Sequence, residues 1–161
     1  MAVDSLTDVQ IADLLHCAKH VENPGGRSRT DGKHVRRDYK VRSTDGRHEF
    51  VLFTRQSTVI AESFSVGLRW KSKTGEEVIL VRCNGADHTH GNAIEREQFG
   101  AQYHVHIATE RYIVSGRKAE SFAQSATEYR TLEGALHHLT RLASIAGLNT
   151  RPDEADLFEI P

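Results

Sequence analysis

Ser63-Phe64-Ser65-Val66-Gly67-Leu68-Arg69-Trp70-Lys71, then Lys73-Thr74-Gly75-Glu76, then Val78-Ile79-Leu80-Val81-Arg82-Cys83: this stretch decides the fold class. Its first part alternates, with Phe64, Val66, Leu68 and Trp70 at one parity and Ser65, Gly67, Arg69 and Lys71 at the other. Successive strand side chains point to opposite faces, so the pattern is that of a strand with one buried face. The glycine-bearing turn reverses the chain into a short apolar run, as expected of a strand central in a sheet.

Working outward, His34–Arg42 places Val35, Tyr39 and Val41 opposite Arg36, Asp38, Lys40 and Arg42. An Asp-Gly turn at Thr44-Asp45-Gly46-Arg47 returns it as His48–Arg55, the strongest short-range hairpin signal. Tyr103–Ala108 is the fifth strand. Before the sheet, Ile11, Leu14, Leu15, Ala18 and Val21 follow helical spacing behind a capping box at Thr7-Asp8-Val9-Gln10, and Asn23-Pro24-Gly25-Gly26 stops the helix. Residues 25–32 read as a mobile loop. After the sheet, Ala119–Ala126 reads as a short helix. Leu132, Ala135, Leu136, Leu139, Leu142, Ala143 and Ala146 form a stripe with Thr131 as N-cap, ending at Gly147. The expectation is one α+β domain over residues 1–161: an N-terminal helix, a five-stranded, mainly antiparallel meander sheet and a C-terminal helix packed on one face. Residues 149–161 form an acidic tail in which Leu157, Phe158 and Ile160 are available to dock.

The chain has 161 residues, 38% of them hydrophobic and 27% charged, enough to bury a core without a metal or disulfide. Cys17 and Cys83 lack C-x-x-C spacing, which points to a reduced, cytoplasmic protein. Met1 to Asp8 carries no base and no apolar run, so it reads as neither signal peptide nor anchor, and no segment is apolar for long enough to span a bilayer. The net charge of -1 excludes a globally basic nucleic-acid coat. The charge is uneven, however, and Arg36, Arg37, Lys40, Arg42 and Arg47 are the candidate nucleic-acid contacts; the alternative is the solvated side of an edge hairpin.

Chemistry is suggested by two His-x-His pairs, His88-Thr89-His90 and His104-Val105-His106, separated by thirteen residues. On a strand each pair would present both rings on one face, about 6–7 Å apart. Neutral imidazole is a common ligand of divalent transition metals such as zinc, so His88, His90, His104 and His106 are candidate ligands, with Asp87, Asn92, Glu95 and Glu110 near enough in sequence to support them. A metal-free alternative uses His104 and His106 as base and acid on a phosphodiester, His88 completing the site and Arg111, Arg82 or Lys118 stabilising charge. A third is that the rings only make hydrogen bonds. Two known patterns fail: the cupin motif lacks its preceding glycine, Arg82 standing there, and the two-histidine phosphoesterase motif needs Thr or Ser where His90 and His106 stand.

The segments Leu80-Val81-Arg82-Cys83-Asn84-Gly85, His88-Thr89-His90-Gly91-Asn92 and His104-Val105-His106-Ile107-Ala108-Thr109-Glu110-Arg111-Tyr112 resemble a family of uncharacterised bacterial proteins, over about residues 35–145. The resemblance implies a shared group of His88, His90, Asn92, His104 and His106 and no reaction. Families of this kind are associated with mobile elements and defence loci. The functional expectation is a histidine-based or metal-assisted nuclease or phosphodiesterase acting on RNA or other nucleic acid, toxin-like or defence-associated. The alternatives are a non-catalytic interaction protein, such as an inhibitor of a host defence complex (an anti-CRISPR, for example) or an antitoxin, and a metal-binding module.

Overall fold

The computed structural model describes residues 2–154; the expected docking of Leu157, Phe158 and Ile160 lies outside the described residues, as does most of the acidic tail. Helix α1 (Asp8–His16) starts on the expected capping box: Gln10 N donates to Thr7 Oγ1 at 3.2 Å and Thr7 N to Gln10 Oε1 at 2.9 Å. It does not run on to Val21. The Lys19 ammonium donates to the carbonyls of Leu15, Cys17 and Ala143, each at 2.8 Å, and so closes the end of the helix. Residues Lys19–Val21 are left to form strand β1.

The remaining elements are β2 (Arg29–Asp31), β3 (His34–Ser43), β4 (Glu49–Ser57), β5 (Phe64–Lys71), β6 (Glu77–Asn84), β7 (His90–Asn92), β8 (Glu97–Phe99), β9 (His104–Ile107), α2 (Glu110–Val114), β10 (Ala123–Ser125), α3 (Leu132–Leu142) and β11 (Ile145–Ala146). The five expected strands are β3, β4, β5, β6 and β9, antiparallel to one another in that order. Among the described residues the main sheet has nine strands rather than five, ordered β10-β9-β6-β5-β4-β3-β1-β11 with β2 beside β3, and β7 and β8 form a separate pair. The additions are two or three residues long, too short to carry a periodic signal. Part of the expected mobile loop is thus a strand, β2, turned by Gly32 at φ +60°. The expected helix at Ala119–Ala126 is instead a 3-10 turn (Ala119–Ser121) followed by β10, because Ala123–Ser125 pairs with β9. Ala146, assigned to the last helix, pairs in parallel with His20 of β1. No helix among the described residues is long and apolar enough to cross a membrane.

Directly paired residues share a sheet face. One face carries Tyr39, Val41, Phe50, Leu52, Val66, Leu68, Trp70, Cys83 and Val105, and these join Ile11, Leu14 and Leu15 of α1 and Ala135 and Leu139 of α3 in one core. The apolar run of β6 has a specific cause. Its register shifts opposite Leu68 and Arg69, where Leu68 pairs with Val81 and Arg69 with Ile79, so that Leu80 is an extra residue. Leu80 and Val81 are both fully buried. The other face is polar toward one end, and two cross-strand rows define it. One runs Arg36, Arg55, Ser65, Asn84, His104; the second runs Asp38, Phe53, Gly67, Arg82, His106.

Candidate metal centre and flanking clefts

Both rows end on β9, which places His104 opposite Asn84 and His106 opposite Arg82. The β7–β8 pair brings in the third ring. Asn92 is buried and clamps β10: its Oδ1 accepts from Ala123 N at 2.9 Å and its Nδ2 donates to Ala123 O at 2.8 Å. That clamp holds His90 against β9, with ring centroids 4.6 Å from His106 and 5.4 Å from His104, while His104 and His106 are 4.9 Å apart. One nitrogen of each of the three rings lies within 4.8 Å of the other two. Of the four expected ligands, His88 is outside this trio. Its ring is 5.5 Å from that of His104, its Nδ1 is 2.9 Å from Asp87 Oδ1, and it is half exposed at the rim.

The hydrogen bonds fix the tautomers. His104 Nδ1 donates to Gln102 O at 2.8 Å, and His106 Nδ1 to Glu120 O at 2.8 Å. His90 Nε2 sits 3.2 Å from Asn92 Oδ1 and 3.1 Å from Ser121 O. Carbonyl oxygens only accept, so the neutral rings carry their protons on these nitrogens, and lone pairs remain on His104 Nε2, His106 Nε2 and His90 Nδ1. The Asn84 amide approaches His104 Nε2 at 3.4 Å, too long to engage that lone pair strongly. Burial, together with Arg82 and the two neighbouring rings, pushes the pKa of His106 down to about 3. Burial also lowers that of His104. At pH 7 His106 is therefore neutral, its one proton held on Nδ1 by the Glu120 carbonyl, a state that suits a ligand better than a general acid.

Two clefts share Arg82 and His88; one reaches the trio itself, and the other approaches it through Asn84, the partner of His104 on β6. One, of about 310 Å³, is lined by His90, His106, Arg82, Arg117, Lys118 and Glu120. The other, of about 290 Å³, is lined by His34, Arg55, Ser65, Asn84, Arg82 and His88. Glu120 Oε1 is 3.8 Å from Arg82, a loose pairing that leaves the guanidinium available to an anion.

Other candidates lie elsewhere. Arg111 donates to Glu95 at 2.7 Å, its guanidinium stacks 4.5 Å from the Phe122 ring centroid, and it lines neither cleft. Glu110 exchanges bonds with Asp8, accepting from its N–H at 3.2 Å and donating to its Oδ1 at 2.9 Å, and so ties α2 to the start of α1. In the basic segment Arg36 pairs with Asp31, Arg42 with Glu22 and Glu49, and Arg37 donates to Tyr39 OH. Only Arg36 of the five lies in the row that leads to His104. Lys40 and Arg47 are exposed, and Arg42 stands six residues along β3 from Arg36, roughly 20 Å. The sequence reading missed Arg55, Ser65, Asn84 and Arg117. The parity of Arg55 and Ser65 was visible, but their alignment with His104 depends on register across four strands.

No curated protein and no solved structure matches the chain. Residues 6–145 match a family profile that carries no assigned function, in keeping with the resemblance read from the His-x-His segments. The chain belongs to the family of unknown function DUF6978.

Proposed function

We propose that the protein is a metal-dependent phosphodiesterase acting on RNA, in which His90, His104 and His106 hold a divalent ion such as zinc. One observation carries the reading: three imidazoles converge, each held by a carbonyl oxygen on one ring nitrogen, beside a cleft lined by Arg82, Arg117 and Lys118. Three histidines with an open fourth position is a recurrent catalytic zinc arrangement, and the carbonyl partners are the outer shell that such ligands require. His90, His104 and His106 would hold the ion, their ligand nitrogens lying within 4.8 Å of one another.

A bound ion would lower the pKa of its water to about 7 and supply the nucleophile. The chain's own groups do the rest. Arg82, Arg117 and Lys118 offset charge that builds on the phosphate oxygens, and the half-exposed His88, steadied by Asp87, is placed to hand a proton to the leaving oxygen. In this reading the partner is nucleic acid and the compartment is the cytoplasm, where free Cys17 and Cys83 would stay reduced.

The test uses protein purified without a histidine tag. About one ion per chain, and cleavage of labelled RNA that is lost in folded His106→Ala, are the expected results. Full cleavage by His106→Ala would overturn the proposal. The short β7–β8 pair supports a second reading, a structural clip, since an ion would staple it to β9. Retained metal with no cleavage of any RNA would select the clip.

A further inference from the structure

The second cleft, which meets the first at Arg82 and His88, has features that the trio does not use. Arg55 is exposed at its edge, and its guanidinium donates to a ring nitrogen, His34 Nδ1 at 3.3 Å, rather than to a carboxylate. Ser65 and Asn84 continue its row to His104. Asn84 is 7% exposed, and its Oδ1 has no hydrogen-bond partner; Arg82 Nε, also buried, has none either. Unpaired buried polar atoms are costly unless something completes them, and two lie on residues that line this one cavity. Asp87 is the cleft's carboxylate, and it is already engaged by His88. What remains is a pocket with two guanidiniums and the hydroxyls of Ser63 and Ser65, donors suited to phosphate oxygens, and the free Asn84 Oδ1, an acceptor suited to a sugar hydroxyl beside them.

We propose that this cleft is a phosphate-binding subsite for a polynucleotide, holding the phosphate next to the one that reacts at the trio. The assignment rests on the phosphodiesterase reading above. Strands are about 4.8 Å apart, so Asn84 is one step and Ser65 two steps from His104, within reach of an adjoining nucleotide. The substrate is then a chain with more than one phosphate, and a mononucleotide would fill only part of the site.

The experiment measures binding of a labelled, non-cleavable single-stranded oligoribonucleotide, with inorganic phosphate as competitor and metal content recorded for each protein. Arg55 is exposed, so Arg55→Ala should fold, and Arg42→Ala is the control from the distant part of the basic segment. The expected result is about ten-fold or greater loss of affinity in Arg55→Ala, with a salt slope shallower by about 0.7, and near-unchanged binding in Arg42→Ala at equal metal content. Equal binding by Arg55→Ala and the unsubstituted chain overturns the subsite, and it leaves the phosphodiesterase standing if cleavage still depends on His106. Competition by inorganic phosphate at the oligonucleotide's own affinity also overturns it, in favour of a free-anion site. Arg55-dependent binding without cleavage keeps the subsite and removes the phosphodiesterase.

Discussion

His106 donates its Nδ1 proton to the main-chain carbonyl of Glu120 across 2.8 Å, and so a backbone atom of the 3-10 turn decides which nitrogen of the ring faces His90 and His104. The side chain of Glu120 turns to Arg82 at the same time. One residue thereby orients a candidate ligand through its backbone and tempers a candidate anion contact through its carboxylate.

The depressed pKa of His106 makes stability depend on pH in metal-stripped protein. Folded, the ring takes up its proton at about 3, whereas an unfolded histidine does so near 6.5, so between these values the unfolded chain binds a proton that the folded one does not. Stability should fall as pH drops from about 6.5 toward 3, by at most about 1.4 kcal/mol per pH unit from this ring, and His104 adds to the trend in the same direction. His106→Asn, which can still donate to the Glu120 carbonyl, should flatten the slope. Urea midpoints at pH 7, 6 and 5 measure it, and parallel slopes for the two proteins would refute the assignment.

Arg82 and Arg111 were both candidates for holding phosphate, and the structure separates them. Arg82 lines both clefts, whereas Arg111 is taken up by Glu95 and Phe122. Loss of a charge-stabilising donor typically costs about 10²-fold or more in turnover. Arg82→Ala should show a loss of that size in RNA cleavage, and Arg111→Ala should stay within about two-fold, as expected for an exposed pair. The reverse order would return phosphate binding to Arg111.

Much of this was legible in the sequence wherever the signal was local. The alternation of β5 and the turns at Gly46 and Gly75, both at positive φ, fixed the central meander, and Thr7 and Thr131 marked helix starts correctly. What escaped was non-local. The end of α1 depends on a bond from Lys19 to Ala143, 124 positions away. The place of His90 depends on Asn92 and Ala123, 31 positions apart, so the spacing of His88 and His90 could not show which of them joins the trio. Arg55 gains its place only from pairing across β4, β5 and β6.

Asn92 provides a test of how the trio is positioned. Its amide both accepts from and donates to Ala123, and its Oδ1 also receives His90 Nε2. Asn92→Asp keeps the volume but cannot donate to the Ala123 carbonyl, so the variant should lose about 1–3 kcal/mol of stability. If the trio binds metal, loosening the partner of one ligand should also weaken metal affinity by about 10- to 100-fold. Chemical unfolding and metal titration read the two effects separately. Unchanged metal affinity in a destabilised variant would show that Asn92 serves β10 alone.

Lys19 is 2% exposed, and its ammonium uses all three protons on carbonyl oxygens, tying the end of α1 to the end of α3. The Phe50 ring lies 5.0 Å from the same nitrogen, and burial lowers its pKa to about 8. Lys19→Met fills similar space but leaves three carbonyls without their donor, and each buried unpaired acceptor costs on the order of 1–3 kcal/mol unless water reaches it. The variant should be among the most destabilising single changes outside the apolar core, and hydrogen exchange should quicken at the C-terminal turn of α1 and along β1 before the centre of the sheet responds. The histidine trio is built on β9 and the β7–β8 pair, away from this lock, so metal binding by the protein that remains folded should be unchanged. A Lys19→Met protein as stable as the unsubstituted chain would mean that residues 17–19 hold β1 by backbone pairing alone.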